Sequence, residues 1–306
     1  MHAQAVPGLE VARVRDDRDL EAMIAVRVAA DPDQPAPRIE NLRHNLAAQN
    51  GLVYFVARLR DAPVACGFMY PDIPADYAEA HLVVVPTARG RGIGSLMLAE
   101  IGAATRTAGK SELEGEIRED DEASRAFLER RGYRIVGGEK AVALDLAAVE
   151  TPVPSLSLGI TIVTRAERPD LTDALYEIGA EGAEDIPDFP GRPTYEQWRA
   201  TDIDRPTRKP QYFFIALSGD EPVGYATFDD YGLDAHHGLT AVRRVWRRRG
   251  IATALKQTQI AAAKSAGFRR LVTASEERNA PMRNLNEKLG YRPEPSLSTF
   301  FLRGPA

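Results

Sequence analysis

An internal repeat constrains the fold of this chain more than any other feature of its sequence. The segment RGRGIGSLML at 89–98 matches RRRGIATALK at 247–256, and FLERRGY at 127–133 matches LNEKLGY at 285–291. Both pairs are offset by 158 residues. Because two separate motifs share one offset, the stretch between them has the same length in each copy. A chance match of a single motif would not require this, so the sequence predicts a duplicated unit.

The length of the repeat predicts two domains in tandem. The chain has 306 residues, and copies of about 150 residues are too long for a solenoid repeat and the right size for a globular domain. We predict an N-terminal domain over 1–150 and a C-terminal domain over 159–306. The stretch between them, 151–158, contains prolines and small polar residues and is predicted to be a linker.

Charge and cysteine content exclude several classes of protein. With 39 Lys plus Arg against 44 Asp plus Glu, the net charge of -5 gives no overall attraction to nucleic acid or to an anionic membrane. Cys66 is the only cysteine and the chain has five histidines, which excludes a disulfide framework and argues against a zinc site. No secretion signal and no run of about 18 apolar residues is present. We therefore expect a cytoplasmic protein without a metal.

The order of predicted elements is the same in each copy. An amphipathic helix and a second helix, separated by an Asp/Pro loop, lead into β-rich runs at 54–68 and 212–228, whose turns predict antiparallel hairpins. A further strand, at 79–85 or 237–242, runs into a Gly/Arg-rich loop and a helix, and strand and helix then alternate once more. This order predicts an α/β class fold with two domains, each a mixed, mostly antiparallel sheet flanked by helices.

The Gly/Arg-rich loop carries the clearest chemical signal. Gly90, Gly92 and Gly94 lie between a strand and a helix, so backbone N–H groups there can point outward without obstruction by Cβ atoms. Such a loop at a helix N-terminus binds phosphate, and flanking arginines add charged donors. Neither copy has the GK[ST] ending of an ATP-binding P-loop or the G-x-G-x-x-G spacing of a dinucleotide fold. We predict a cofactor that carries a diphosphate.

The loop and its flanking residues form a longer pattern. Val84-Val85-Pro86 is followed by Arg89-x-x-Gly92-x-Gly94, with FLERRGY downstream, and Arg247-x-x-Gly250-x-Ala252 repeats the loop. This pattern resembles the acetyl-CoA-binding core of the GNAT acetyltransferases. The tandem arrangement is similar to that of mycothiol synthase-like two-domain bacterial acetyltransferases. The resemblance implies acetyl-CoA as cofactor and direct transfer of its acetyl group to a primary amine of a small-molecule acceptor.

The resemblance also implies which residues bind the cofactor. In this family the loop amides hold the CoA diphosphate, and the strand before the loop separates from its neighbour so that pantetheine lies between them. The implied acetyl-CoA residues are, in the first copy, Val83, Val84, Val85, Arg89, Gly90, Arg91, Gly92, Ile93, Gly94 and Ser95, and in the second, Thr240, Ala241, Val242, Arg247, Arg248, Arg249, Gly250, Ile251, Ala252, Thr253 and Asn279.

Direct transfer needs a group that removes a proton from the amine. A free alkylamine has a pKa of about 10.4 and is protonated at neutral pH, so a base or a water relay is required. In the first copy the candidates on the strand before the loop are Glu79 and His81. In the second they are His237, which aligns with Glu79 at the offset of 158, and its neighbour His236.

The chain departs from the family pattern at the position of a common acid. Many GNAT members place a tyrosine where its hydroxyl can protonate the departing thiolate, and here Leu128 and Asn286 take that position. Leucine donates nothing, and the Asn286 amide donates hydrogen bonds without being an acid. Asn279 fits the family pattern near the cofactor, whereas the first copy has Asp121. We therefore favour the C-terminal domain as catalytic.

Signals for the acceptor and for alternative functions are weaker. Asp185, Asp188 and Tyr195 are candidates for binding a cationic amine, although Asp in such loops also serves as a helix cap or turn residue. The cluster RRVWRRR at 243–249 resembles a nucleic-acid patch, but a cofactor with three phosphates already accounts for it. A second alternative is a non-catalytic acetyl-CoA-binding sensor or scaffold. We expect a monomer, as a pseudo-dimer of domains, or a homodimer.

Overall fold

The computed structural model describes residues 6–32, 34, 36–156, 159–187 and 191–306, and these form two compact units. The first unit combines the described part of 1–137 with residues 300–306, and the second contains the described part of 138–299. Each unit has a hydrophobic core of its own.

The first unit is a sheet with helices on both faces. Strands β1 to β4 form an antiparallel ladder, and β4 then pairs with β5 in parallel. The core side chains of Val56, Met97 and Ile101 are fully buried between the sheet and its helices. The elements are β1 Leu9–Arg13, α1 Asp17–Ala30, α2 Ile39–Ala48, β2 Val53–Leu59, β3 Ala62–Tyr70, β4 Tyr77–Val84, α3 Ile93–Thr107, β5 Glu112–Arg118 and α4 Glu122–Glu129.

The second unit repeats this order. Strands β7 to β10 are antiparallel, β10 pairs with β11 in parallel, and β6 completes the sheet beside β11. One core contains Trp198 of α6 and Tyr225 of β9, and the other contains Leu255 of α7 and Phe228 of β9. The remaining elements of the chain are β6 Arg134–Asp145, β7 Ile160–Thr164, α5 Tyr176–Glu184, α6 Tyr195–Trp198, β8 Phe213–Ser218, β9 Glu221–Tyr231, β10 Asp234–Val242, α7 Ile251–Ser265, β11 Arg270–Glu276, α8 Ala280–Lys288, β12 Arg292–Pro293 and β13 Thr299–Pro305.

The last strand of each unit comes from the other repeat. From Gly138 onward β6 belongs to the second unit, where it pairs with β11, and from Phe300 onward β13 belongs to the first, where it lies next to β5. In the first unit Arg303 of β13 bonds Glu114 at 2.6 Å, and the Tyr133 hydroxyl donates to the Pro305 carbonyl at 3.1 Å.

The compact units therefore differ from the predicted ranges 1–150 and 159–306: the end of the first range lies in the second unit, and residues 300–306 lie in the first. The predicted ranges describe the two repeats along the chain, and for the repeats they remain a prediction. Within the predicted linker, residues 151–156 form no helix or strand, and 157–158 lie outside the described residues.

The predicted fold class is confirmed, since each unit is a mixed, mostly antiparallel sheet flanked by helices. In addition, no helix among the residues described is long and apolar enough to cross a bilayer.

A charged side chain lies in the core of the second unit. Lys256 of α7 is 1% exposed, and its ammonium lies 5.6 Å from the centre of the Tyr291 ring. Burial lowers the pKa of Lys256 to about 7, because the charged form loses its hydration. At the offset of 158 the first repeat has Leu98, so the lysine stands at an apolar position of the repeat.

We expect Lys256→Met to stabilise the protein at neutral and acidic pH. Below the folded pKa of about 7 both states carry the charge, and the folded state bears its full desolvation cost. Between that pH and the ordinary value of 10.5 only the unfolded chain stays protonated, so wild-type stability rises with pH. At pH values below 7, the substitution should add about 5 kcal/mol to the free energy of unfolding and remove this rise. Urea unfolding at a series of pH values measures the free energy of unfolding and its dependence on pH. Lys288→Met, at an exposed site on α8, is the control.

Gly304 provides a test of the place of β13. A Cβ at this residue would lie 2.5 Å from Cγ and 2.9 Å from Cα of Tyr133. We expect Gly304→Ala to destabilise the first unit by about 1–3 kcal/mol, through overpacking. At Gly137 the nearest atom would be Phe301 Cδ2 at 3.5 Å, an ordinary contact, so Gly137→Ala is the matched control. Denaturant unfolding, with hydrogen exchange at β5, measures the difference. Equal stability of the two variants would contradict this packing.

Candidate functional site

In both units a pair of parallel strands separates before the upstream strand ends. The β4–β5 ladder runs from Tyr77 to Ala80, although β4 continues to Val84. The β10–β11 ladder runs from Asp234 to His236, although β10 continues to Val242. The backbone edge beyond each ladder can therefore pair with an extended ligand that lies between the strands.

Only the second unit has a β-bulge on this strand. Gly238 and Leu239 of β10 stand opposite the single residue Thr227 of β9, whereas the β3–β4 ladder runs without interruption. A bulge leaves a residue outside the regular pairing and re-aims the neighbouring groups, and bulges are common beside active sites. Both units thus have an open strand edge, on β4 and on β10, and they differ because only β10 carries a bulge.

The strand register corrects the predicted alignment of the candidate bases. Glu79 pairs with Glu114 of β5, and His236 pairs with Val272 of β11, which is 158 residues after Glu114. His236 therefore occupies the place of Glu79, and the alignment of His237 with Glu79 is wrong. The extra residue of the bulge shifts the start of β10 by one position.

His237 turns both ring nitrogens into the protein. Its Nε2 lies 2.6 Å from the Tyr291 hydroxyl, and its buried Nδ1 has no hydrogen-bond partner among the residues described. Burial, together with the positive charge of Lys256, holds the pKa of His237 well below its ordinary value. Because Lys256 belongs to α7, the ring of His237 lies on the face of β10 that packs against this helix.

His236 is half-buried and lies beside acidic groups. Its ring centre is 4.7 Å from that of Tyr231, and Asp229 stands opposite it in the β9–β10 ladder. Burial lowers the pKa of His236, and the nearby carboxylates of Asp234 and Asp229 oppose that shift. A neutral imidazole at pH 7 can accept a proton.

In the first unit the two candidates behave differently. Surrounding protein atoms desolvate the carboxyl group of Glu79 and raise its pKa, although part of the residue is exposed, and the carboxylates of Glu114 and Glu116 add to the effect. His81 stacks on Phe68 with ring centres 5.9 Å apart, and burial lowers its pKa to about 4. Glu79 is therefore the more basic of the two.

The glycine loops have the shape of an anion-binding nest. Gly92 and Gly250 immediately precede α3 and α7 in the left-handed conformation, with φ of 83° and 79°. At Gly90 and Gly250 no atom lies within 4 Å of the place where a Cβ would stand. The backbone N–H groups of 90–94 and of 250–252 have no acceptor within the part of the chain that is described. Free N–H groups at a helix N-terminus suit a phosphate.

One arginine in each loop donates a hydrogen bond to the last carbonyl of the preceding strand. Arg89 Nε donates to the Val84 carbonyl at 3.0 Å, and Arg247 Nε donates to the Val242 carbonyl at 2.9 Å. Arg248, at the place of Gly90, also adopts a positive φ of 61°. The other predicted cofactor residues lie along the same paths: Val83, Val85, Thr240 and Ala241 at the strand ends, Arg91 and Arg249 in the loops, and Ile93, Gly94, Ser95, Ile251, Ala252 and Thr253 in the first turns of the helices.

Asp185 pairs with loop arginines. Its carboxylate lies 3.2 Å from Arg244 Nη2 and also forms an ion pair with Arg247. Glu184 bonds Arg244 at 2.8 Å, and Arg243 bonds Glu181 at 3.1 Å. Asp185 is therefore engaged rather than free for an acceptor. Because these acids neutralise three arginines of the cluster, the nucleic-acid hypothesis loses support.

Tyr195 belongs to an aromatic cluster formed by residues of α5 and α6. Its ring packs against Tyr176 and Trp198, with centres 5.6 and 5.7 Å apart, and its hydroxyl donates to Asp173 at 2.5 Å. Trp198 Nε1 in turn donates to the Tyr225 hydroxyl at 3.2 Å. Asp188, the third predicted acceptor residue, lies outside the described residues.

The two predicted asparagines have different environments. Asn279 caps α8 and accepts from Met282 N at 3.4 Å, as Asp121 caps α4 and accepts from Ser124 N at 2.9 Å. Asn286 is 1% exposed, and neither atom of its amide has a partner among the residues described. Such a buried, unpaired amide is uncommon and retains its capacity for hydrogen bonding.

Sequence reasoning missed several polar residues of this region. Lys256, Tyr291 and Arg208 are buried in the second unit, together with Asp229. The available signal was Lys256 at a position where the first repeat has leucine. Separately, the described residues contain no group of three or more His, Cys, Asp or Glu side chains arranged to hold a metal ion.

Comparison with protein families identifies the repeats. The profile described as Acetyltransferase (GNAT) family matches residues 174–291, and that described as Acetyltransferase (GNAT) domain matches residues 50–135. Together the two matches cover about two thirds of the chain. Each contains one of the two glycine loops.

Individual proteins are similar over most of the chain. The mycothiol acetyltransferase of Acidothermus cellulolyticus is 26% identical in an alignment of 258 positions, which covers 76% of this chain and 74% of that protein. A GCN5-related N-acetyltransferase from Sphaerobacter thermophilus has a TM-score of 0.74 at 21% identity, covering 99% of this chain and 97% of its own. A tandem GNAT protein from the clavulanic acid biosynthesis pathway has a TM-score of 0.76 at 20% identity, covering 97% and 98%.

The solved structures show the fold alone at these identities, and the family profiles add the assignment. The expected resemblance is confirmed. The chain belongs to the GNAT family of N-acetyltransferases and carries two GNAT domains in tandem.

Proposed function

We propose that this protein transfers an acetyl group from acetyl-CoA directly to a primary amine of a small molecule, and that its C-terminal domain is the catalytic one. GNAT acetyltransferases use acetyl-CoA as a rule. The observation that carries the choice of domain is the bulge at Gly238 and Leu239, which lies in the β9–β10 ladder, on the part of β10 that has separated from β11 and ahead of the open loop. The first unit has the loop and the separated strands but a regular β3–β4 ladder.

The residues of both loops fit the cofactor. A diphosphate needs several donors within a small volume and no side chain in the way. The N–H groups of 90–94 and of 250–252 provide the donors, and the open space at Gly90 and Gly250 provides the room. The strand edges of 82–84 and 240–242 would hold pantetheine by backbone hydrogen bonds. Acetyl-CoA, when bound, supplies the thioester.

His236 is the base in this proposal. It stands beside the separation of the strands, is neutral at pH 7, and lies on the opposite side of β10 from His237. Asn286 would donate a hydrogen bond toward the departing thiol, and its buried, unpaired amide supports that role. In the first unit Glu79 has the corresponding place.

The acceptor is proposed by class only. The Acidothermus relative is named as a mycothiol acetyltransferase, which supports a small-molecule acceptor. Tyr195 and Asp188 remain candidates for contacting it, whereas Asp185 is engaged by arginines. We further propose a cytoplasmic protein, a monomer or a homodimer, that needs no metal and binds no nucleic acid.

A binding role without catalysis suits the first unit better than the second. Leu128 cannot donate a proton or a hydrogen bond at the position of Asn286, and the strand lacks the bulge. The first unit would then hold acetyl-CoA without transferring its acetyl group.

Acetyl-CoA turnover tests the proposal. We expect release of CoA thiol with at least one member of a panel containing an amino sugar, a polyamine, an aralkylamine and a lysine peptide. His236→Ala should lower kcat about 10²–10⁴-fold, the usual range for loss of a general base, and His44→Ala on α2 serves as the control histidine. Turnover of no amine would contradict the function. Loss of activity in Glu79→Gln rather than in His236→Ala would contradict the choice of domain.

Calorimetry with acetyl-CoA tests the loops one at a time. We expect Gly250→Glu to remove the binding site of the second unit and Gly92→Glu that of the first, because a carboxylate would repel the diphosphate. Each variant should lower the stoichiometry by one site. Gly267, at the end of α7, has a φ of 82° and open surroundings like Gly250, so Gly267→Glu introduces the same charge and backbone strain elsewhere. Unchanged stoichiometry in the loop variants would refute the assignment.

A further inference from the structure

A buried ion pair lies behind the bulge of the second unit. Arg208 and Asp229 are 4% and 3% exposed. Arg208 donates to the two oxygens of Asp229 through Nε at 3.1 Å and Nη2 at 2.8 Å. Its Nη1 donates to the side chain and the carbonyl of Asp202, both at 3.0 Å. A planar guanidinium held by two carboxylates in this way has one defined orientation.

The same guanidinium touches the bulge. A Cβ at Gly238 would lie 2.4 Å from Nη2 of Arg208 and 2.3 Å from the Thr227 hydroxyl oxygen. Only a residue without a side chain fits between these two groups. Arg208 therefore packs directly on the backbone of the residue that leaves the regular ladder.

The partner of Arg208 also faces the proposed base. Asp229 pairs with His236 in the β9–β10 ladder. The other charged groups acting on His236 are Asp234 of its own strand and Arg270 of β11, which bond each other at 2.7 Å. Tyr231 of β9 contacts its ring. Asp229 has two cations of its own, Arg208 with Nη2 at 2.8 Å and Arg205 with Nη1 at 3.9 Å, and the nearer, buried Arg208 neutralises it the most.

The first unit provides an internal comparison. There Tyr70 pairs with Glu79, as Asp229 pairs with His236, so a tyrosine stands where the second unit has the carboxylate. The β3–β4 ladder of that unit is regular. The ion pair and the bulge thus occur together in one unit and are both missing from the described residues of the other.

We propose that Arg208 is a positioning residue of the second unit: it holds the bulge at Gly238 in place and orients Asp229 beside His236. The proposal rests on the function proposed above. Arg208 has its guanidinium committed to protein groups, and its effect reaches the reacting amine through the backbone of β10 and through His236. Lysine cannot replace it, because an ammonium is a point charge without the fork that bonds both oxygens of Asp229.

Steady-state kinetics test the geometric part. With the panel amine turned over fastest, Arg208→Lys should lower kcat at least about tenfold and leave the KM for acetyl-CoA within about twofold, since the loop at 247–252 is untouched. Gly238→Ala should do the same. The matched controls are Arg168→Lys, at an exposed ion pair of the same unit, and Gly137→Ala. Arg208→Lys with the kcat of Arg168→Lys would overturn the proposal.

Histidine NMR tests the electrostatic part without requiring turnover. In the full chain labelled at histidine, with the His236 signal assigned from His236→Ala, Asp229→Asn should lower the pKa of His236 by on the order of one unit, because a facing negative charge is removed. Arg208→Met should raise it, because that charge is no longer neutralised. General loosening would not move the two variants in opposite directions.

The two experiments separate the hypotheses. If no amine is acetylated but the titrations shift as expected, the proposed function fails and the coupling of Arg208 to His236 stands. If amines are acetylated and neither Asp229→Asn nor Gly238→Ala changes the pKa of His236 or kcat, the function stands and the positioning role fails. Should Arg208→Met not fold, Asp229→Asn and Gly238→Ala carry the decision.

Discussion

Backbone hydrogen bonds left unmade between two parallel strands are the constraint on which the arrangement of this protein depends. The β4–β5 ladder ends at Ala80 and the β10–β11 ladder at His236, while the upstream strands continue. Exposed donors and acceptors of this kind are otherwise paired within a sheet. A short turn, whose own N–H groups are bonded within the protein, separates this strand edge from the free N–H groups at the helix N-terminus, so each unit offers two neighbouring sets of unpaired backbone groups. On their other edges, β4 and β10 are hydrogen-bonded to the antiparallel strands β3 and β9, which fix their positions.

Much of the fold followed from local sequence. The constant offset of 158 located both loops, and the positive φ values of Gly92 and Gly250 agree with the helix starts that these glycines indicate. The exchange of β6 and β13 could not be predicted in this way. Both segments have the composition of an ordinary closing strand, and the sheet that each one joins is decided by tertiary packing, such as that of Gly304 on Tyr133.

The proposed site of the second unit was less visible in the sequence, because a single inserted residue in β10 distinguishes this strand from its counterpart in the first unit. The bulge in β10 is compensated within the same repeat, so the loop motifs keep their spacing and a gapless alignment places His237 on Glu79. Strand register, which needs the partner strands, identifies His236 instead. Asp185 illustrates the same difficulty. Its position suggested an acceptor contact, whereas its ion pairs with Arg244 and Arg247 join segments about 60 residues apart in sequence.

The exchanged strand has a consequence for synthesis of the chain. The first unit spans residues up to 137 but is completed only by residues 300–306. At roughly 5–20 residues per second, a ribosome takes on the order of 8–30 s to cover that interval. During this time the edge of β5 that β13 will later cover stays unpaired, and such an edge is a template for wrong pairing. The unit that is translated first is therefore the one that is completed last.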